Sequence, residues 1–378
     1  MITTETAAGN IAALDRSNAR TAASGALTAE CFEHAVPPFV EEALEGLYGN
    51  LFSTLAHQRV YGKSRSLSTF VLRDGTQLRT VWLYERRGRT VRVLNEGIEV
   101  HAHEVARFAE LVFAPGSAAG AITFHAIQPR VQGLALPWRR YNCLEDMVLE
   151  LPPTSTEYLA QLGKSTRSYI HRYMNKLRRD FPSVRFELVE AHEIDEGKIR
   201  RIIELNRARM SHKGKVSIND DTLAEQITHL AMDCGMIGAL TIEGQVVAGT
   251  INYRVADNYF LEVIAHDPRY NAYRLGTLCC YLTVCECIAR GGREYHFLWG
   301  QDEYKKRLLG KRRDLDDLTV YRSRLHMVSH ADLALRQAAD GWKRRAQLRI
   351  RTLRQGDGPA ARTFDALLRR IREMKSGG

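Results

Sequence analysis

The stretch that most constrains this chain runs from residue 236 to residue 298. Two apolar strands, 236–242 and 246–255, flank Glu243-Gly244, a strong hairpin signal. A third strand, 258–265, passes through His266-Asp267-Pro268 into a short loop, 269–276. That loop leads directly into a helix, 277–290, ended by Gly291-Gly292, and a fourth strand follows at 295–298. The order hairpin, third strand, helix, fourth strand predicts an α+β fold on a mixed sheet.

The first half repeats the plan. An opening helix, 37–55, precedes strands at 66–72, 77–85 and 90–94, with Asp74-Gly75 and Arg87-Gly88 at the turns. A helix at 101–113 and a strand at 121–127 complete it. The two halves hardly match in sequence, so the reading is a weak internal duplication into two tandem lobes. At 378 residues a length prior of two to three domains agrees. Between the lobes lie Pro129, Gly133, Pro137, a strand at 144–151 and Pro152-Pro153. A helix at 165–181, a strand at 185–189, helices at 194–210 and 220–233 and a last strand at 315–324 fill out the second lobe.

The expected boundaries are a disordered leader at 1–30, a first lobe at 31–143, a second at 144–330 and a basic helical tail at 331–378. The leader is rich in Ala, Thr and Ser and lacks the basic and apolar regions of a secretory signal. The tail carries twelve Lys or Arg against five acids and so contributes +7 of the net +10. Its Phe364, Leu367, Leu368, Ile371 and Met374 recur at helical spacing, making a basic amphipathic helix. An anionic membrane surface or RNA is therefore a candidate partner for this tail, not for the whole chain. No stretch approaches the roughly 20 apolar residues that span a bilayer. Seven cysteines, odd in number and four of them within 279–287, make a poor disulfide framework and point to a reducing, cytoplasmic setting. On one helix Cys280 and Cys287 stand about 10 Å apart, too far to share an ion, so no metal is expected.

The loop before helix 277–290 is where chemistry is expected. A strand feeding a loop that opens a helix makes an anion site, because free N–H groups and the positive dipole end face the loop. Gly276 lets the backbone approach a phosphate, and Arg274 adds a charge-assisted bond. Alone these two residues are also what a tight turn before a core helix would carry. The wider run from Asp267-Pro268 through Arg274-Leu275-Gly276-Thr277-Leu278 to Phe297-Leu298-Trp299-Gly300-Gln301-Asp302-Glu303-Tyr304-Lys305 resembles the CelD-like acyltransferases of the GNAT superfamily. These share the two-lobe arrangement of the Fem transferases. The likeness covers residues 144–324; the first lobe matches in plan only.

That resemblance implies a fold of two tandem GNAT-like lobes, the first degenerate, and an enzyme using acyl-CoA, acetyl-CoA foremost, as donor. It places the CoA pyrophosphate on Arg274, Leu275, Gly276 and Thr277, with Leu278 standing where the usual pattern has a second glycine. It runs the pantetheine beside Val263 and Ile264, where a backbone N–H would polarise the thioester carbonyl. Glu262 is the first candidate base, because strand alternation puts it on a face with Phe260 and Ile264, where its pKa would rise. His266 is the second. Asp302, Tyr304 and Lys305 follow the next strand; Tyr304 would protonate the leaving thiolate and Lys305 would hold negative charge. The acceptor is expected to be an amine or hydroxyl of a small or carbohydrate-like molecule. Two alternatives stand beside this reading: a Fem-like transferase drawing on aminoacyl-tRNA, and a non-catalytic scaffold docking through its basic tail. In the first lobe the corresponding loop, Asn95-Glu96-Gly97-Ile98-Glu99, carries two acids that would repel a pyrophosphate, so only the second lobe is expected to bind CoA.

Overall fold

The computed structural model describes residues 19–24, 27–62, 66–212 and 221–330. The tail at 331–378 and its membrane or RNA contacts lie outside the described residues, as do residues 1–18. In chain order the first half holds β1 (Ala19–Ser24), β2 (Leu27–Phe32), α1 (Val40–Tyr48), α2 (Leu55–Tyr61), β3 (Ser68–Asp74), β4 (Gln77–Arg87), β5 (Thr90–Val93), β6 (Glu99–His101), α3 (Ala102–Val112) and β7 (Ala121–Arg130). Entered from β8 (Trp138–Glu150), the last strand of the first half, the second holds α4 (Ser155–Gln161), α5 (Lys164–Asp180), β9 (Arg185–Glu190), α6 (Glu196–His212), α7 (Asp221–Cys234), β10 (Gly235–Ile242), β11 (Gln245–Val255) and β12 (Asn258–His266). It closes with α8 (Leu275–Ala289), β13 (Glu294–Trp299), α9 (Glu303–Arg307), β14 (Lys311–Tyr321) and α10 (Arg324–Ser329).

All described strands join one mixed sheet, ordered β1-β2-β3-β4-β5-β7-β14-β8-β13-β12-β11-β10-β9, with β6 beside β7. The expected scheme appears twice. A meander (β3-β4-β5) leads through α3 to β7, parallel to β5; a second (β10-β11-β12) leads through α8 to β13, parallel to β12. The lobes then exchange their last strands. β8 leaves the first lobe to pair with β13, while β14 leaves the second to pair with β7, and the two run antiparallel at the centre. The expected boundary at 143/144 therefore falls inside β8.

The duplication extends to an irregularity. Between β13 and β8 the register skips Phe297, Leu298 and Met147; between β7 and β14 it skips His125, Ala126 and Asp317. Leu298 and Ala126 both take the left-handed conformation, with φ of 56° and 50°. Each bulge bends its strand away from its parallel neighbour.

Two local expectations change. Within the stretch expected as a leader, 19–24 form β1 and 27–30 enter β2, because Ala29 and Cys31 bury one face on the sheet while the backbone of β2 pairs with β3. The single helix expected over 37–55 is broken. Gly49 adopts φ 51° and stops α1, and the Asn50 side chain then accepts from Phe52 N to start a short 3-10 turn before α2. Packing divides over the second half of the sheet. α8 buries Leu275, Leu278 and Cys279 with Tyr259 and Leu261 on one face; α6 and α7 bury Ile202, Ile227 and Leu230 with Phe260 and Val263 on the other.

Candidate active site

The site begins where two parallel strands part. β12 and β13 pair only over Asn258–Glu294, Tyr259–Tyr295 and Phe260–His296. Beyond that point β13 is turned by its Leu298 bulge, and β12 is bulged against β11 where the register passes from Val263 to Leu261. The ends of the two strands splay, leaving backbone groups of β12 without a strand partner on that side. In the first lobe β5 and β7 also part after three pairs, but the chain fills its own gap. Gly97 N donates to Ala126 O at 2.7 Å, Gln128 N donates to Ile98 O at 2.8 Å, and β6 pairs along β7.

The loop after β12 is set by its own side chains. The Asp267 carboxylate accepts from Arg269 N at 2.9 Å and from the Arg269 guanidinium, which holds Asp267 below the usual carboxylate range. Pro268 opens a 3-10 turn through Tyr273, and Arg274, at φ 56°, turns the chain into α8. Arg274 O accepts from Thr277 N and Leu278 N, closing the first helical turn. Gly276 packs against the His266 ring. Leu275 is fully buried, its side chain in the core, and it does not line the cleft.

In front of this turn lies a cleft of about 920 Å³. Arg172 from α5, Arg209 from α6, Arg274 and, from α9, Arg307 line it, with Glu303 as the one acid among the described lining residues. Glu303 is spent on Arg307, 2.6 Å away, which leaves the cleft strongly cationic and suited to phosphate groups. Arg209 Nε is buried and has no hydrogen-bond partner among the described residues. Arg274 lies beside the Tyr173 phenol and lowers its pKa, while Tyr169, raised by burial, sits beside Thr277. Tyr169, Arg172, Arg209 and Arg307 were not singled out from the sequence. Tyr169 and Arg172 lie on the helix expected at 165–181 and Arg209 on the one expected at 194–210, with no local signal that aims them at the loop before α8.

The strand residues divide. Ile264 lines the cleft, and its carbonyl accepts from Asn206 Nδ2 at 3.1 Å; the Val263 side chain is buried on the far face. Glu262 is the residue displaced by the β12 bulge. The expected alternation therefore breaks there: Phe260 and Val263 share one core, whereas Ile264 sits with Tyr259 and Leu261 in the other. Glu262 remains open to solvent, yet protein crowds it closely enough that burial raises its pKa to about 6. Among the described residues it makes no ion pair or hydrogen bond. Its charge is felt by Tyr61 and by Tyr253, whose buried hydroxyl makes no hydrogen bond of ordinary geometry.

Next to Glu262 the first half supplies a wall. Tyr61 stacks on His57 at 4.9 Å, His57 meets Phe52 at 5.1 Å, and Phe52 meets the half-exposed Trp299 at 5.1 Å. Burial lowers the His57 imidazole to about 4, so this wall is uncharged at neutral pH.

The other candidates separate by position. His266 lines the cleft, its Nε2 2.8 Å from Asn271 Oδ1. Tyr304 also lines it, and burial, with Cys280 and Asp302 nearby, pushes its phenol well up, so it stays protonated. Asp302 is exposed at the start of α9 and makes no side-chain cap. Lys305 does not reach the cleft. It is 4% exposed, and its ammonium donates to the carbonyls of Leu298 and Trp299, holding the β13 bulge.

Residues 164–306 match the family model described as an acetyltransferase (GNAT) domain. Among solved structures, FemX aligns over 78% of this chain and 98% of its own, at 8% identity and a TM-score of 0.60. L-PGS from Bacillus licheniformis aligns over 78% and 94%, at 15% identity and a TM-score of 0.49. No curated protein sequence matches the chain. Residues 164–306 are thus similar to a GNAT acetyltransferase domain, in a chain that shares its overall fold with FemX.

Proposed function

We propose that this protein is an acyl-CoA-dependent acyltransferase of the CelD-like kind, acting on an amine or hydroxyl of a small or carbohydrate-like acceptor. The observation that carries the reading is the open β12–β13 split facing an arginine-lined cleft, beside a first-lobe split closed by its own chain. The donor's phosphates meet Arg274, the first-turn N–H groups of α8 and the guanidinium groups of Arg172, Arg209 and Arg307. The pantetheine follows β12 past Ile264 into the split, and a β12 backbone N–H at 263–264 stabilises charge on the thioester oxygen.

The acceptor approaches from the Tyr61 and Trp299 wall. Glu262, directly or through a water, takes the acceptor's proton as its nitrogen or oxygen bonds to the carbonyl carbon. The tetrahedral intermediate collapses, the carbon–sulfur bond breaks, and the thiolate takes the Tyr304 proton. His266 and Asn271 fix the shape of the donor loop, and Lys305 fixes the bulge that opens the split. Asp302 stands close enough to Tyr304 to influence its proton.

The test is donor binding by titration calorimetry with acetyl-CoA and longer acyl-CoAs, with aminoacyl-tRNA as the competing donor. Acyl-CoA binding that is lost in Arg274→Ala/Gly276→Asp supports the reading. Transfer from aminoacyl-tRNA without acyl-CoA binding replaces it with the Fem-like one.

A further inference from the structure

Three residues skipped by the sheet register meet at one point of the first half. The β7–β14 register skips His125, Ala126 and Asp317, and the β14–β8 register skips Cys143 between Leu144 and Asn142. Bulges on three neighbouring strands thus lie side by side. The Nδ1 or Nε2 of His125, the Sγ of Cys143 and a carboxylate oxygen of Asp317 all lie within 4.8 Å of one another. Asp317 Oδ1 is 2.6 Å from His125 Nδ1 and also accepts from Ala126 N at 3.3 Å.

The second half shows what the same bulge holds when it is only packing. There the positions matching His125 and Asp317 are Phe297 and Met147, both buried in the apolar core. The first half keeps the bulge, keeps the left-handed residue at Ala126, and replaces the apolar pair with two metal-binding side chains. The neighbouring strand adds a thiol.

We infer that His125, Cys143 and Asp317 form a zinc site. One nitrogen, one sulfur and one carboxylate oxygen are the donor types zinc takes, and tetrahedral bonds of about 2.0–2.3 Å place ligand atoms about 3.3–3.7 Å apart. The His125–Asp317 contact, 2.6 Å, must open by about 1 Å, and the thiol, within 4.8 Å of both partners, must close by no more than about 1 Å. On binding, the Cys143 thiol loses its proton to solvent, and thiolate plus carboxylate neutralise the ion. His125 and Asp317 have side-chain exposures of 41% and 21%, which gives the ion a path in and leaves room for water as a fourth ligand. The ion ties β7 to the exchanged strands β14 and β8, so its role is to pin the two lobes together. The site is independent of the acyl-transfer reading.

The test uses the full chain stripped with chelator. Titration calorimetry with Zn²⁺ should give one tight equivalent, and Co²⁺ should give a cysteinate charge-transfer band with tetrahedral ligand-field absorption. Cys143→Ser should remove that band and weaken Zn²⁺ by more than about 100-fold, beyond the 10–100-fold loss expected for an outer-shell partner. Cys234→Ser and Cys285→Ser should leave both readouts unchanged. A readout needing no variant is alkylation mapped by mass spectrometry: Zn²⁺ should protect Cys143 and not Cys234 or Cys285. Absence of a stoichiometric Zn²⁺ equivalent, or an equivalent with Cys143 still freely alkylated, would overturn the assignment.

Discussion

Gly276 stands against the imidazole of His266: a Cβ built at position 276 comes within 3.0 Å of Nδ1. That ring is itself held by Asn271, so the strand end, the loop and the first turn of α8 form one packed unit. Gly276→Ala is therefore not the helix-stabilising change its propensity suggests. The imidazole must give way, and the donor loop shifts with it. We expect KM for acyl-CoA to rise about tenfold, equivalent to 1.4 kcal/mol, with kcat nearly unchanged. Steady-state kinetics check this; an unchanged KM would separate the loop from donor binding.

Glu262 carries the pH dependence of the proposed reaction. Burial raises its pKa to about 6, so the base is ready only above that value. Activity should climb as pH rises through about 6, and Glu262→Gln should lower kcat by about 10²- to 10⁴-fold and erase that limb.

The same shift makes a prediction for stability. A carboxyl with a folded pKa above its unfolded value favours folding at low pH and opposes it once ionised. Glu262→Gln should raise Tm at pH 8 and leave it unchanged near pH 4, by differential scanning fluorimetry. Equal effects at both pH values would assign the change to packing instead.

Lys305 should behave as a positioning residue. Removing its ammonium leaves the Leu298 and Trp299 carbonyls without that donor inside the fold. Lys305→Met should cost about 1–3 kcal/mol in urea unfolding. In the folded fraction it should lower kcat while leaving acyl-CoA affinity intact. Loss of donor binding alone, without destabilisation, would return Lys305 to the cleft.

His296 joins the exchanged strand to the second half. It is 3% exposed, with Nδ1 2.6 Å from Asp146 and Nε2 3.2 Å from Glu294. Burial alone would lower its pKa, but the two carboxylates outweigh burial and raise it. Its stabilising contribution is thus complete below about pH 6.5, the unfolded value, and is lost as pH rises through the folded one. His296→Gln should flatten the alkaline fall in unfolding free energy. A slope identical to wild type would place that titration elsewhere.

Local signals made the second half legible. Glu243-Gly244 marked its hairpin, Gly291-Gly292 the end of α8, and Asp267-Pro268 the loop that leads into α8. What stayed hidden depends on distant pairing. The exchange of β8 and β14 leaves no trace in either strand's composition, because both pair on each side wherever they sit. The bulge at Glu262 reverses the face of Ile264 without altering the pattern from which alternation is read. Arg209 looks like any charged residue on α6 until β12 and α9 bring the cleft to it. Phe52, His57 and Tyr61 lie some 200 residues from Glu262 in sequence, too far for any local pattern to link them.

The most direct measurement of the central claim is calorimetric titration of acyl-CoA into the full chain, alongside Arg274→Ala/Gly276→Asp and Glu96→Ala. One donor bound per chain, lost in the first variant and kept in the second, is the predicted result. Binding that survives the first variant and disappears with Glu96→Ala, or no binding across several acyl chains, would contradict the account.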